Sequence, residues 1–190
     1  MNQERFMEPF SVNIDFDTGR VSAPARLITR SLSNLEGFFH DGEAYKTLLA
    51  DHDPVLYQVH EIPVPNAEGH LLSCTTLIYP GKVGREYFFT KGHFHTIENR
   101  AEIYTCLRGE GYLLMATRDG ESRAVHMKPG ISAYIPPYWS HRTLNCGSEP
   151  FIFHGVWPAD AGHDYDSIVD HGFPVRVFEE NGKPVVRKEN

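Results

Sequence analysis

Between Ala101 and Ile135 the chain reads AEIYTCLRGEGYLLMATRDGESRAVHMKPGISAYI, and the fold class turns on how this run is parsed. Apolar, β-branched and aromatic residues come in short blocks, Ala101–Leu107, Gly111–Thr117, Ser122–Met127 and Ser132–Ile135. The breaks between them hold Gly109, Asp119-Gly120 and Pro129-Gly130, and Asp-Gly is a strong signal for a tight hairpin. The blocks are too short for stable helices, and the gaps leave no room for crossover helices. The run predicts successive antiparallel strands.

The same reading extends outward in both directions. Upstream, Val55–Ile62, His70–Tyr79 and Glu86–Thr90 read as strands, and Pro80-Gly81 closes the second. Downstream, Phe151–Trp157 is another, and Val175–Phe178 and Pro184–Arg187 flank a hairpin at Asn181-Gly182. Alternating βα units are absent, which argues against doubly wound and TIM architectures. The first 50 or so residues differ. Leu32, Leu35 and Phe39 share one helical face with Ser31 or Ser33 as cap, and Glu43–Ala50 reads as a second short helix ended before Asp53-Pro54. The expectation is an all-β barrel with short helices in the N-terminal segment. It is one domain over residues 1–190, with a barrel core at about 53–160, an N-terminal elaboration at 1–52 and a C-terminal hairpin at about 173–188.

Composition narrows the partners. Apolar residues make up 41% of the 190-residue chain, enough for one core without disulfides. A formal net charge of −7 argues against nucleic acid as the main partner. Cys74, Cys106 and Cys146 are scattered without a CxxC pair, which points to a reducing, cytoplasmic location rather than a disulfide scaffold. No basic stretch followed by an apolar one marks a leader at the N-terminus, and no apolar run has the length of a membrane span.

Immediately before the opening run stands Lys91-Gly-His-Phe-His-Thr-Ile-Glu-Asn-Arg100. His93 and His95 are two apart, so on a strand their imidazoles point the same way. Glu102 and Tyr104 share a face of the next strand, and His141 follows Pro136-Pro137. Two or three imidazoles with one carboxylate form a ligand set for a first-row transition metal, and the set by itself does not choose among Fe²⁺, Mn²⁺, Ni²⁺ and Zn²⁺.

These residues carry a resemblance. His93-x-His95-x6-Glu102-x6-Gly109 is similar to the first cupin motif, with a wider gap before the glutamate than is usual. Gly130-x5-Pro136-x-Tyr138-x2-His141-x3-Asn145 is similar to the second, with Tyr138 where glycine is customary. A narrower resemblance runs from Asp53 to about Tyr165. Asp53-Pro-Val-Leu-Tyr57, Thr75-Thr-Leu-Ile-Tyr-Pro-Gly-Lys-Val-Gly84, Glu86-Tyr-Phe88, Thr90-Lys-Gly-His-Phe-His95, Ala101-Glu-Ile-Tyr104 and Pro136-Pro-Tyr-Trp-Ser-His141 look like the cupin-type glucose-6-phosphate isomerases, which use that wider gap. Residues 1–50 and 166–190 add little to it.

The resemblance implies a double-stranded β-barrel and a metal-dependent isomerase interconverting glucose 6-phosphate and fructose 6-phosphate, acting as a homodimer. It implies that His93, His95, Glu102 and His141 hold one divalent metal per subunit, Fe²⁺ foremost. Tyr57, Thr76, Thr90, Gly92 and Tyr104 are implied to contact the phosphate. Tyr165 is implied to lie by the sugar, and His163 to assist ring opening. Lys91 has strand parity opposite to Thr90 and Gly92 and ranks below them. Glu102 has two roles open to it, as the base that moves a proton between C2 and C1 or as a ligand while hydride shifts directly. Two other classes keep the same ligands: an Fe²⁺ dioxygenase, and a non-catalytic cupin that binds a sugar phosphate. His60, His70, His126, His154 and His171 lack supporting spacing and are read as structural or solvated.

Overall fold

The computed structural model describes residues 7–22 and 24–189, without the side chains of Asp170 and His171. The first six residues of the stretch read for a leader, and the His171 side chain, lie outside the described residues. In chain order the elements are β1 (Arg26–Ser31), α1 (Gly42–Asp51), β2 (Val55–Ile62), β3 (Leu71–Ile78), β4 (Lys82–Val83), β5 (Glu86–Tyr87), β6 (Glu102–Arg108), β7 (Gly111–Ala116), β8 (Ser122–Met127), β9 (Ser132–Ile135), β10 (Ser140–Asn145), β11 (Phe151–Pro158), α2 (Asp166–His171), β12 (Val175–Glu180) and β13 (Lys183–Lys188).

A six-stranded sheet in the order β1-β2-β3-β11-β6-β9 and a three-stranded sheet, β10-β7-β8, supply the two walls of the barrel. A third sheet, β13-β12-β5-β4, adds the C-terminal hairpin. Every ladder is antiparallel. Period-two alternation is clear in β6 and β9: in β9, Ala133 and Ile135 are buried while Ser132 and Tyr134 are exposed. Leu113, Leu114, Met127, Ile135, Phe151 and Phe153 belong to the main core.

Several expectations are corrected. The helix expected over Ser31–Phe39 is one 3-10 turn at Leu32–Leu35, and Gly37 then takes φ 80°, which an α-helix cannot accommodate. Leu32, Leu35 and Phe39 are nevertheless all buried. The second helix forms, one residue longer at each end, with the Asp41 carboxylate accepting from the amides of Glu43 and Ala44. A further helix, α2, lies near the C-terminus, where none was expected. The expected strand over Glu86–Thr90 keeps its ladder only at Glu86–Tyr87, and the chain beyond runs beside β10.

Strands β1, β4 and β10 were not anticipated. The β10 sequence, SHRTLN, shows no apolar alternation, yet all six of its residues are buried. The strand is covered on both faces, so polar side chains point inward on one and are enclosed on the other.

Candidate metal centre

The site begins with an irregularity in the backbone. The Asn145 amide donates to Phe88 O, and the Thr90 amide donates to Thr143 O, in step with β10. His93 and His141 next exchange amide bonds of 3.2 and 3.0 Å. Lys91 and Gly92 therefore stand opposite Arg142 alone, which makes a β-bulge. Gly92 has φ 75°, and a Cβ there would lie 3.0 Å from His141 O and 3.1 Å from Arg142 Cβ. The Lys91 carbonyl, left without a ladder partner, accepts from Arg142 Nε at 3.2 Å and Nη2 at 2.7 Å.

That guanidinium is buried, 4.3 Å from the ring centre of Phe89 and 4.9 Å from that of Phe173. Burial, followed by repulsion from Arg176, pulls its pKa down to about 9. The extra residue resets the alternation. Thr90 and His93, three apart, both line the cavity, as two residues three apart on an unbroken strand would not.

His93 and His95 come from this segment, Glu102 from the start of β6 and His141 from β10. One ligand atom from each lies within 4.8 Å of all the others. Glu102 Oε2 is 3.2 Å from His95 Nε2 and 2.9 Å from His141 Nε2. The Nδ1 of His95 lies 2.9 Å from the Arg100 carbonyl, which assigns the proton to Nδ1 and leaves Nε2 free to ligate. Arg100 is itself gripped by Asp160 at 3.1 and 2.7 Å.

Nε2 of His93 and Nδ1 of His141 are enclosed without a hydrogen-bond partner, and His141 Nε2 meets only the Glu102 carboxylate. Orphaned imidazole nitrogens around a buried carboxylate are costly unless something charged sits between them, and a divalent cation answers that need. Burial alone would raise the Glu102 carboxyl, but the imidazoles of His141 and His95 outweigh it and hold the group at about 2. Burial, then repulsion from His141, His163 and His95, lowers His93 far below the usual histidine range, so its imidazole is neutral, as a ligand must be.

A cavity of about 290 Å³ opens beside these ligands. Tyr57, Thr76, Thr90, Gly92, Tyr104, His163 and Tyr165 all line it. The Thr90 hydroxyl lies 3.3 Å from that of Thr143. The His163 ring stands 4.4 Å from that of His93 and stacks on Tyr165 at 5.7 Å. Gly155 makes room on β11, since a Cβ there would lie 2.8 Å from the Tyr104 ring.

Lys91 also lines the cavity, contrary to the parity argument that ranked it low, because the bulge breaks the alternation on which that argument rests. Sequence reasoning missed Thr143, Trp157 and the β1 residues Arg26 and Arg30, which line the same space. Thr143 was within reach, lying two residues beyond His141 on one strand. Arg26 and Arg30 carry no local signal, because only the pairing of β1 with β2 brings them there.

Tyr138, standing where the cupin motif has glycine, takes φ 70°, the conformation a glycine would supply without strain. His126 is tied to the surface: it stacks on Tyr112 and shares Glu110 with Lys128.

Comparison with known proteins places this geometry in context. A family profile described as Glucose-6-phosphate isomerase (GPI) matches residues 29–190. A glucose-6-phosphate isomerase of Thermococcus litoralis is 49% identical over 183 residues, covering 96% of both chains. One of Pyrococcus furiosus is 49% identical and covers 94% of both. A more distant one, of Sinorhizobium medicae, is 36% identical over 93% of this chain and 83% of its own. These matches run well beyond Asp53–Tyr165, so the terminal segments share in the likeness. Among solved structures, oxalate oxidase superposes on 60% of this chain and 56% of its own with a TM-score of 0.50 and 14% identity, a likeness of fold alone.

Proposed function

The chain belongs to the glucose-6-phosphate isomerase family, and from that premise we propose that it interconverts glucose 6-phosphate and fructose 6-phosphate with one divalent cation held by His93, His95, Glu102 and His141. The observation that carries the metal assignment is the convergence of four ligand atoms within 4.8 Å, with imidazole nitrogens left unpartnered. The three-nitrogen, one-oxygen set suits Fe²⁺, which the family resemblance favours, and accommodates Mn²⁺, Ni²⁺ or Zn²⁺. When bound, such an ion supplies Lewis-acid polarisation of the sugar oxygens.

The chain's own residues do the rest. Thr90, Gly92, Tyr57, Thr76 and Tyr104 receive the phosphate end of the open-chain sugar in the cavity. His163 and Tyr165 stand over His93 at the mouth, where His163 assists ring opening. Glu102 directs Oε2 at two imidazoles, and a carboxylate committed to a cation is a poor base. That favours its service as a ligand while hydrogen passes directly between C2 and C1. The dioxygenase and the binding-only readings share the ligand set but not the whole-chain likeness to isomerases.

The working unit is one cupin domain over 1–190, paired as a homodimer. The support for pairing is an exposed apolar patch on the outer face of the six-stranded sheet. There Ile103 faces Tyr134 in register, and the two are 44% and 59% exposed. Three free cysteines support a reducing cytoplasm, and the family's reaction supports a place in glycolysis or gluconeogenesis. Among the described residues no helix is long and apolar enough to cross a membrane.

The deciding experiment is a coupled assay on fructose 6-phosphate before and after chelation, with Fe²⁺, Mn²⁺, Ni²⁺ and Zn²⁺ added back singly. Activity is expected to vanish on chelation and return most fully with Fe²⁺. Undiminished turnover in a demonstrably metal-free sample would sink the assignment.

A further inference from the structure

The phosphate contacts named so far are neutral: hydroxyls and a backbone amide. A sugar phosphate carries close to two negative charges at neutral pH, and moving such an anion into a half-enclosed cavity without a matching cation is costly. The edge strand β1 supplies the cation. Its residues Arg26, Ile28 and Arg30 alternate onto the cavity face, opposite Glu61, Val59 and Tyr57 of β2 respectively. Arg26 has a carboxylate as its cross-strand neighbour. Arg30 has a tyrosine, and its polar contact is a 3.3 Å bond from Nη1 to the carbonyl of Thr29, with no ion pair among the described residues.

We infer that Arg30, assisted by Lys91, is the charged half of the phosphate site and the residue that makes the cavity prefer a phosphorylated sugar to a neutral one. The inference rests on the isomerase reading above and extends it to a strand that the sequence motifs do not reach.

Three observations converge on it. Lys91, on the bulge, lines the cavity beside Thr90 and Gly92, and its ammonium rests 5.4 Å from the ring centre of Phe38 rather than on a carboxylate. Arg30 and Lys91 line the same cavity, so their positive charges face it together. Like charges held together without counter-ions repel, and a dianion placed between them removes that repulsion. Tyr57 also connects the two, lying opposite Arg30 in register and lining the same cavity as Lys91. A guanidinium gives a phosphate a planar, two-pronged donor that a hydroxyl cannot replace.

The test uses the metal-loaded full chain as wild type, Arg30→Ala, Arg30→Lys and, as a control on a distant exposed site, Arg123→Ala. KM and kcat for fructose 6-phosphate are measured with metal content. Separately, inorganic phosphate is titrated against thermal stability, a readout that does not depend on turnover. Arg30→Ala is expected to raise KM, and to weaken phosphate binding, by about 10- to 100-fold. Its kcat should stay within about threefold of wild type, in line with a ground-state binding contact. Its metal content should be unchanged, Arg30→Lys should fall between, and Arg123→Ala should match wild type. KM and phosphate affinity within about twofold of wild type in Arg30→Ala would overturn the inference, and so would a parallel collapse of kcat and metal content, which marks a structural role. If Arg30→Ala does not fold, the Arg30→Lys phosphate titration decides alone, and an unshifted curve counts against the inference. Wild type that binds phosphate but does not turn over fructose 6-phosphate would reject the isomerase reading and leave the Arg30 titration standing as its own test.

Discussion

At the scale of single residues, the site is defined by what each side chain lacks. His93 and His141 have enclosed nitrogens with no hydrogen-bond partner, whereas His95 spends one nitrogen on Arg100 and keeps the other for the centre. Glu102 joins His95 and His141 through one oxygen. Glu102→Gln keeps the shape and removes the charge, so metal occupancy and turnover should fall in parallel, by at least about tenfold. Measuring metal content beside kcat checks this, and a turnover loss far exceeding the metal loss would return Glu102 to the role of base. Tyr138 offers a prediction of opposite sign. It is 59% exposed and holds a left-handed backbone at φ 70°. Tyr138→Gly should stabilise the fold by about 1 kcal/mol by relieving that strain, seen as a higher denaturant midpoint.

At the scale of elements, the bulge at Lys91–Gly92 matters more than any strand around it. It aims both Thr90 and His93 into one cavity, and it depends on Arg142, whose guanidinium caps the carbonyl the bulge sets free. Arg142→Lys retains the charge but not the paired donors. A buried carbonyl left short of a partner costs roughly 1–3 kcal/mol, so the variant should unfold at correspondingly lower denaturant. KM should rise as Thr90 and Gly92 lose their fixed position. Urea unfolding and steady-state kinetics on the same preparation test both halves, and unchanged values in both would show that the bulge holds without its cap.

At the scale of the whole molecule, the six-stranded sheet lines the cavity with its inner face and leaves Ile103 and Tyr134 outward on the other. If a second copy covers that face, sedimentation should report a dimer, and the pair Ile103→Lys with Tyr134→Lys should yield monomers that still bind metal, since both side chains lie on the outer surface of the barrel. A wild-type monomer at micromolar concentration would end the pairing proposal.

Much of this was readable from the amino acids in order. Turn residues at Gly109, Asp119-Gly120 and Pro129-Gly130 delimit strands whose alternation is local, so the antiparallel class and most strand boundaries followed from short-range chemistry. The four candidate ligand positions were legible because His93 and His95 stand two residues apart and Glu102 and His141 stand at motif spacing. What sequence could not yield were properties that exist only after distant segments meet. Strand β10 has no apolar rhythm because both its faces are enclosed by other elements. The bulge is a mismatch between two strands, visible only once Thr90 faces Thr143 and His93 faces His141. Arg30 becomes a cavity residue only when β1 pairs with β2, since nothing within Arg26–Ser31 says which face will look inward. Local propensity and spacing thus determined which elements form and which residues can bind a cation, while strand pairing across the barrel decided which side chains share the cavity and how its charge is balanced.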